Sequence, residues 1–321
     1  MQNAGVSIAM VGCGCWGKNL VRNFHAIGNL AAICDSNKDI AQSMEQQFAK
    51  PAMTWDDILL DINIDAVGLA VPAEMHAEFA FQALDAGKHV FVEKPLALKI
   101  KDAQNLVERA RASDLVLMVG HLLQYHPVFV KMKKMVDGGE IGTVGYIYSN
   151  RLSLGKIRRE ENVLWSFAPH DISMVLALAG CEPTSVSASG SAIIDTNIED
   201  VVIAQLLFPN GIGAHIFSSW VHPFKEQRLV VTGDKGMLVF EDHKPWDQKL
   251  GYYPHTFEVG AFATLPNKEE CQFILVDQGE PLKNECQHFV DCIEKGFKPT
   301  SDGVEGLAVL RVLEAASRAM K

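Results

Sequence analysis

The sequence predicts an α/β protein in two parts: an N-terminal, doubly wound parallel sheet, followed by an α+β domain with a large, mainly antiparallel open sheet. Three observations carry this. A glycine-rich turn, Gly12-Cys13-Gly14-Cys15-Trp16-Gly17, lies between an apolar run and a helical period near the start of the chain. Apolar runs and helical periods then alternate up to Gly120, as successive βα units do. Beyond Gly120 the segments lengthen, alternate in polarity and are joined by hairpin turns.

Residues 6–11 form an apolar strand that empties into the glycine turn, which opens a helix through Leu20, Val21 and Phe24. In G-x-G-x-x-G the first glycine permits a tight turn, the second lets the backbone approach a pyrophosphate, and the third lets helix pack on strand. The helix N-terminus adds amide donors and partial positive charge. Gly12, Cys13, Gly14, Cys15, Trp16 and Gly17 are therefore expected to hold a dinucleotide. A second strand, 30–34, ends in Asp35, 18 positions past Gly17. An acid about 20 positions on hydrogen-bonds the adenosine ribose. No Arg stands at 36 or 37 to meet a 2′-phosphate, so Asp35 and its neighbour Ser36 favour NAD over NADP.

The alternation continues with a helix at 37–48, a short helix capped by Thr54, a strand at 66–71, a helix at 74–85, a strand at 90–92, a helix at 99–112 and a strand at 115–119. Apolar strands interleaved with helices in this way describe a Rossmann domain. Val71 and Pro72 fall at a carboxyl strand end, beside the nicotinamide half of the cofactor. Val90-Phe91-Val92, taken as the fifth strand, runs into Glu93-Lys94-Pro95. A parallel sheet delivers such an end to the ligand crevice, and Pro95 stops the ladder, so Lys94 is expected in a cleft.

A helix at 127–136 ends at Asp137-Gly138-Gly139. Strands are expected at 145–154, 184–192, 200–208, 211–220, 226–232 and 236–241, with hairpin turns at Pro209-Asn210-Gly211 and Gly233-Asp234-Lys235-Gly236. One helix, 169–179, is inserted among them. Residues 242–281 show no clear period, and helices at 280–295 and 302–320 close the chain. With 321 residues the chain exceeds one ordinary core, and the expected domains are 1–121 and 122–321. An open sheet covered by helices on one face needs a partner on the other, which implies a homo-oligomer.

Composition narrows the function. No segment reaches the roughly 18 uninterrupted apolar residues of a membrane span, and Met1-Gln2-Asn3-Ala4 carries no basic leader, so a cytoplasmic protein without membrane insertion is expected. A net charge of −10 disfavours nucleic acid as a partner. The seven cysteines show no C-x-x-C pair, and His215 and His222 lack a carboxylate at ligand spacing, so no metal is expected.

The glycine turn, Glu93-Lys94-Pro95 and the antiparallel second domain together resemble the Gfo/Idh/MocA family of sugar and polyol dehydrogenases. Val71-Pro72-Ala73-Glu74-Met75-His76-Ala77 followed by Ala86-Gly87-Lys88-His89-Val90 is also similar to that family. A narrower resemblance lies in Gly120-His121-Leu122-Leu123-Gln124-Tyr125-His126-Pro127, in the run from Asn150 to Arg159, and in Trp165-Ser166-Phe167-Ala168-Pro169-His170-Asp171. These resemble the WlbA/WbpB-type branch, which oxidises C3 of UDP-N-acetylglucosaminuronic acid on the way to a diacetamido-uronic acid for lipopolysaccharide. Ser166 and Gln124 replace the Asp and Arg of many polyol dehydrogenases, which fits the nucleotide-sugar branch better than the inositol type. The resemblance implies NAD as cofactor, a tetramer before a dimer, and cofactor contacts from His76, Glu93, Lys94 and Gln124. Another nucleotide sugar, or a free sugar or polyol, is the alternative substrate.

Oxidising an alcohol with NAD needs a base for the hydroxyl proton. His170 is the expected base, with its pKa lowered by a helix start just after Pro169, and Lys94 is expected to hydrogen-bond the same oxygen. The proposed substrate is anionic. Arg151, Lys156, Arg158 and Arg159, the densest basic stretch, are its expected partners, in competition with Glu160 and Glu161. Glu93 either orients Lys94 or touches the cofactor ribose. Trp165 either covers the nicotinamide or fills core.

Overall fold

The computed structural model describes residues 5–260 and 263–321, so the leaderless start read at Met1–Ala4 lies outside the described residues. By contact the chain forms two compact units, Met1–Tyr125 with Glu280–Leu310, and His126–Gly279 with Arg311–Lys321. The sequence places all of 122–321 in one domain; the contacts instead return residues 280–310 to the first unit.

In the first unit the order is β1 (Ile8–Val11), α1 (Gly17–Ala26), β2 (Leu30–Cys34), α2 (Lys38–Phe48), α3 (Trp55–Leu60), β3 (Ala66–Leu69), α4 (Ala73–Asp85), β4 (His89–Glu93), α5 (Ile100–Ala112) and β5 (Leu117–Gly120). The five strands pair in parallel in the order β2-β1-β3-β4-β5, with the chain reversing its direction of travel across the sheet after β2. Among the described residues nothing extends this sheet beyond five strands; before the helix cap Thr54 there is only a single bridge, Ile33 with Ala52. Glu93-Lys94-Pro95 thus follows the fourth strand. β1, β3 and β5 are buried at every position, as strands sandwiched on both faces must be.

A 3₁₀ turn, Leu122–Tyr125, ends the first stretch of this unit. In the second unit follow α6 (Pro127–Asp137), β6 (Val144–Leu154), α7 (Val163–Ala179), β7 (Ser185–Ser191), β8 (Val201–Leu207), β9 (Gly213–Ser219), β10 (Val221–Gly233), β11 (Met237–Glu241), β12 (Leu250–Tyr253), β13 (Thr256–Val259), β14 (Thr264–Asn267) and β15 (Gln272–Phe273). Among the described residues eight strands join in the order β15-β12-β11-β10-β6-β9-β8-β7. All neighbours are antiparallel except β6 with β9. The stretch that showed no period supplies β12 to β15. α7 covers one face and buries nearly its whole circumference, with Trp220 fully buried and its indole N–H given to Asp200 at 2.5 Å.

Two helices close the chain. α8 (Pro281–Lys295) belongs to the first unit, where Phe289 meets Phe24 and Phe91 edge to face at 6.4 and 5.8 Å. α9 (Gly303–Ala319) starts in the first unit and ends in the second.

Candidate active site

In the first unit the glycine turn and the carboxyl ends of β1, β2 and β3 border a cleft of about 1010 Å³, lined by Gly12, Gly14, Asp35, Ser36, Val71 and Pro72 among others. Gly12 has φ 83°, and a Cβ there would lie 2.7 Å from the Ala70 carbonyl oxygen. At Gly17 a Cβ would lie 1.9 Å from the Gly12 oxygen, so both positions admit only glycine without movement. A Cβ on Gly14 would meet nothing within 4 Å, which leaves the backbone open for a phosphate group to approach. Asp35 fastens the turn to β2: its Oδ2 accepts from the Cys13 amide at 2.7 Å and its Oδ1 from the Asn37 amide at 2.8 Å. The Cys13 thiol is buried and pushed up to about 12, by burial first and by Asp35 second, so it stays protonated and inert. Cys15 and Trp16 are exposed. These features fit a dinucleotide, with Gly12 to Gly17 for the pyrophosphate and Asp35 for a ribose.

Sequence reasoning missed the opposite wall of this cleft. Met53, Trp55, Met75 and Phe79 line it, and the rings of Trp55 and Phe79 lie 4.9 Å apart. Their spacing along α3 and α4 reads as ordinary packing.

At the end of β4 the Glu93 carboxylate accepts from the Trp16 indole N–H and from the Lys94 amide at 3.3 Å. Burial pushes the Glu93 carboxyl up, while Trp16 and then Lys94 pull it down. Trp16 thereby ties the glycine turn to the Glu93-Lys94 turn. Gly120 on the next strand makes room for the carboxylate, since a Cβ there would lie 3.1 Å from it. The Lys94–Pro95 peptide is cis. His76 is buried, its ring nitrogens 2.7 Å from the Pro95 carbonyl and 2.9 Å from that of Val71, so it braces the two turns from behind. Burial holds its pKa below the ordinary histidine value. Gln124 is buried in the 3₁₀ turn.

In the second unit, α7 corrects the expected helix start. Asn162 caps it, accepting from the Trp165 amide at 3.2 Å, and Pro169 stands inside the helix. His170 is therefore two turns in, beyond the first turn where a helix dipole acts, and the expected dipole effect on its pKa does not apply. A pocket of about 170 Å³ gathers Arg151, Ser166, Phe167, His170, Lys225 and Gln227.

The basic stretch divides. Arg151 faces inward and holds buried Asp171 with two bonds, 2.5 Å from Nε and 3.2 Å from Nη2, while Ser149 donates to the same carboxylate at 2.5 Å. Arg151 is thus committed within the protein, to the Asp171 that follows His170 in sequence. Lys156, Arg158 and Arg159 are exposed and are not among the residues lining the pocket; Arg158 pairs with Glu161 at 3.1 Å. The pocket's exposed cation is Lys225, on an irregular part of β10, and an isolated lysine in a strand gives no sequence signal. Trp165 is half-buried and donates its indole N–H to Ser317 at 2.9 Å within this unit. His215 stacks flat on Tyr148 with centroids 5.2 Å apart and bonds the Tyr146 hydroxyl at 2.9 Å.

The family model for the Gfo/Idh/MocA oxidoreductases with an NAD-binding Rossmann fold matches residues 6–121, and the C-terminal domain model of the same family matches residues 129–239. The chain is 28% identical over 307 residues to an inositol 2-dehydrogenase of Rhizobium meliloti (strain 1021), covering 92% of this chain and 90% of that protein. It is also 28% identical over 305 residues to a UDP-N-acetylglucosamine 3-dehydrogenase of Acidithiobacillus ferrooxidans, covering 94% and 93%. A solved structure of a UDP-N-acetylglucosamine 3-dehydrogenase from Acidithiobacillus ferrooxidans superposes with a TM-score of 0.85 at 24% identity, over 98% of this chain and 97% of that one, which is a likeness of fold.

Proposed function

The chain belongs to the Gfo/Idh/MocA oxidoreductase family, with an NAD-binding Rossmann domain, and from that premise we propose that it is an NAD-dependent dehydrogenase of a secondary hydroxyl on a nucleotide sugar. The substrate proposed is UDP-N-acetylglucosaminuronic acid, oxidised at C3. The observation that carries the reading is the pairing of motifs: a Glu93-Lys94 turn fastened to the dinucleotide loop by Trp16, and a histidine pocket in the second unit with a cation, Lys225, at its wall.

Bound NAD supplies the hydride acceptor. Gly12, Gly14 and the start of α1 would hold its pyrophosphate with backbone amides, and Asp35 would hold a ribose. The Nδ1 atom of His170 is buried, so Nε2 is the nitrogen that takes the hydroxyl proton. The Lys94 ammonium, at the turn after β4, is the proposed donor to an oxygen on which alkoxide character develops. Arg151 and Ser149 fix Asp171, and Asp171 in turn fixes the stretch of α7 that carries His170. Lys225 meets a carboxylate or phosphate of the substrate. The homo-oligomer implied by the open sheet, tetramer before dimer, is part of this proposal.

The inositol 2-dehydrogenase at equal identity supports a second reading, a free polyol as substrate. NADH formation decides between them. Turnover with the UDP-uronic acid and none with inositol is expected; turnover with inositol alone overturns the nucleotide-sugar reading.

A further inference from the structure

Glu285 is an acid in the core of the first unit that neither the fold nor the proposed chemistry has used. It is fully buried, and among the described residues neither of its carboxyl oxygens has a hydrogen-bond partner. Its place follows from register. Phe289 of α8 packs on Phe91 of β4. Glu93 lies two residues beyond Phe91 and shares its face of the strand, while Glu285 lies four residues before Phe289 and shares its face of the helix. Asn284 donates to the Tyr125 carbonyl at 3.2 Å, just past the end of β5, so this end of α8 sits at the carboxyl ends of the strands. Glu285 and Glu93 are neighbours on one face.

Two carboxylates side by side away from water do not both ionise, and the proton stays on the one with fewer donors. Glu93 has the Trp16 indole, the Lys94 amide and the Lys94 charge, with His121 nearby. Glu285 has Tyr125 and Cys286 beside it and Glu280 at the start of α8, and among the described residues no cation pulls its pKa down. We propose that Glu285 is a positioning residue that acts through Glu93: it stays a neutral acid and confines the pair's single negative charge to Glu93, where Trp16 and Lys94 meet it. The functional part of this rests on the dehydrogenase reading above.

For the fold alone such a residue is a loss, because an unpartnered carboxyl in the core costs more than an apolar side chain of similar volume. Burial first, and Glu93 second, hold its pKa well above the ordinary carboxylate range. An acid shifted in this direction binds its proton more tightly folded than unfolded. Its contribution to stability is therefore present at low pH and falls as pH rises past the ordinary carboxylate value.

The test compares wild type with Glu285→Gln and Glu285→Met. Melting is followed at about pH 5 and about pH 8, NADH binding by energy transfer from tryptophan, and kcat across pH. Both variants are expected to melt above wild type at the higher pH, with the gap narrowing at the lower. The Met variant is expected to lose about tenfold or more in kcat, as displaced catalytic groups do, while Gln, which keeps a neutral polar neighbour for Glu93, recovers most of it. The alkaline fall of the wild-type profile, where Glu285 ionises, disappears in the Gln variant. Variants that melt below wild type at both pH values, a Met variant with full kcat, or an alkaline limb unchanged in Gln each overturn the proposal. The melting and NADH measurements need no substrate, so failure to find an alcohol that the enzyme oxidises counts against the dehydrogenase reading alone.

Discussion

His170→Asn removes the basic nitrogen while keeping a polar side chain of comparable width at the pocket wall. General-base catalysis is typically worth 10²–10⁴-fold, so kcat is expected to fall by about 10²-fold or more with NAD binding little changed. Turnover within a few fold of wild type would remove His170 from its role. The residue was legible because its neighbours resemble a family motif; its setting was not. Pro169 reads as a helix start because proline suits the first helical position. Here burial on all sides of α7 outweighs the missing N–H, and the true start signal is the modest Asn162 cap. Arg151 shows the same limit from the other direction: composition marks it as a free cation, and only the fold turns it toward Asp171.

Among the elements, β10 and the loop after β6 both carry exposed cations, and of these only Lys225 lines the histidine pocket. Lys225→Ala is expected to raise the Michaelis constant for the sugar nucleotide several-fold while leaving that for NAD unchanged. The double change Arg158→Ala with Arg159→Ala is expected to do less, since both side chains are exposed and Arg158 already faces Glu161. Steady-state kinetics with each substrate varied separates the two, and a larger effect from the arginine pair returns substrate binding to that loop. The α6 start carries a pH signature of a different kind. Asp242 lies 3.4 Å from His126 Nε2 and 2.5 Å from Lys249 Nζ, and these partners hold its carboxyl well below the ordinary range. Its stabilising effect is therefore full above the ordinary carboxylate pKa and is lost as pH falls below it. Asp242→Asn should lower the melting temperature near neutral pH, with the deficit shrinking at about pH 3 or below; a deficit constant with pH would show that charge is not its source. None of this cluster was visible beforehand, because residues 242–281 alternate with no steady period.

For the whole molecule, the first prediction is cofactor choice. A ligand at 100 times its dissociation constant stabilises the folded state by about 2.7 kcal/mol, so NAD is expected to raise the melting temperature clearly. NADP should do so far less, because the Asp35 carboxylate would face its 2′-phosphate. Equal shifts would refute the assignment of Asp35. Among the described residues no helix is long and apolar enough to cross a membrane. Local signals determined a good deal: the glycine turn, the strand-helix alternation, the Glu93-Lys94-Pro95 turn and the hairpins each lie within a dozen residues, and short-range sterics and periodicity fix such elements wherever they fold. What the tertiary structure alone decided depends on partners distant in sequence. It set the return of α8 to the first unit's sheet, the Trp16–Glu93 tie, the commitment of Arg151 to Asp171, and the burial of Glu285 beside Glu93. Burial and hydrogen-bond pairing are properties of position in three dimensions, and a carboxylate or a guanidinium carries no mark in the sequence of which partner will meet it.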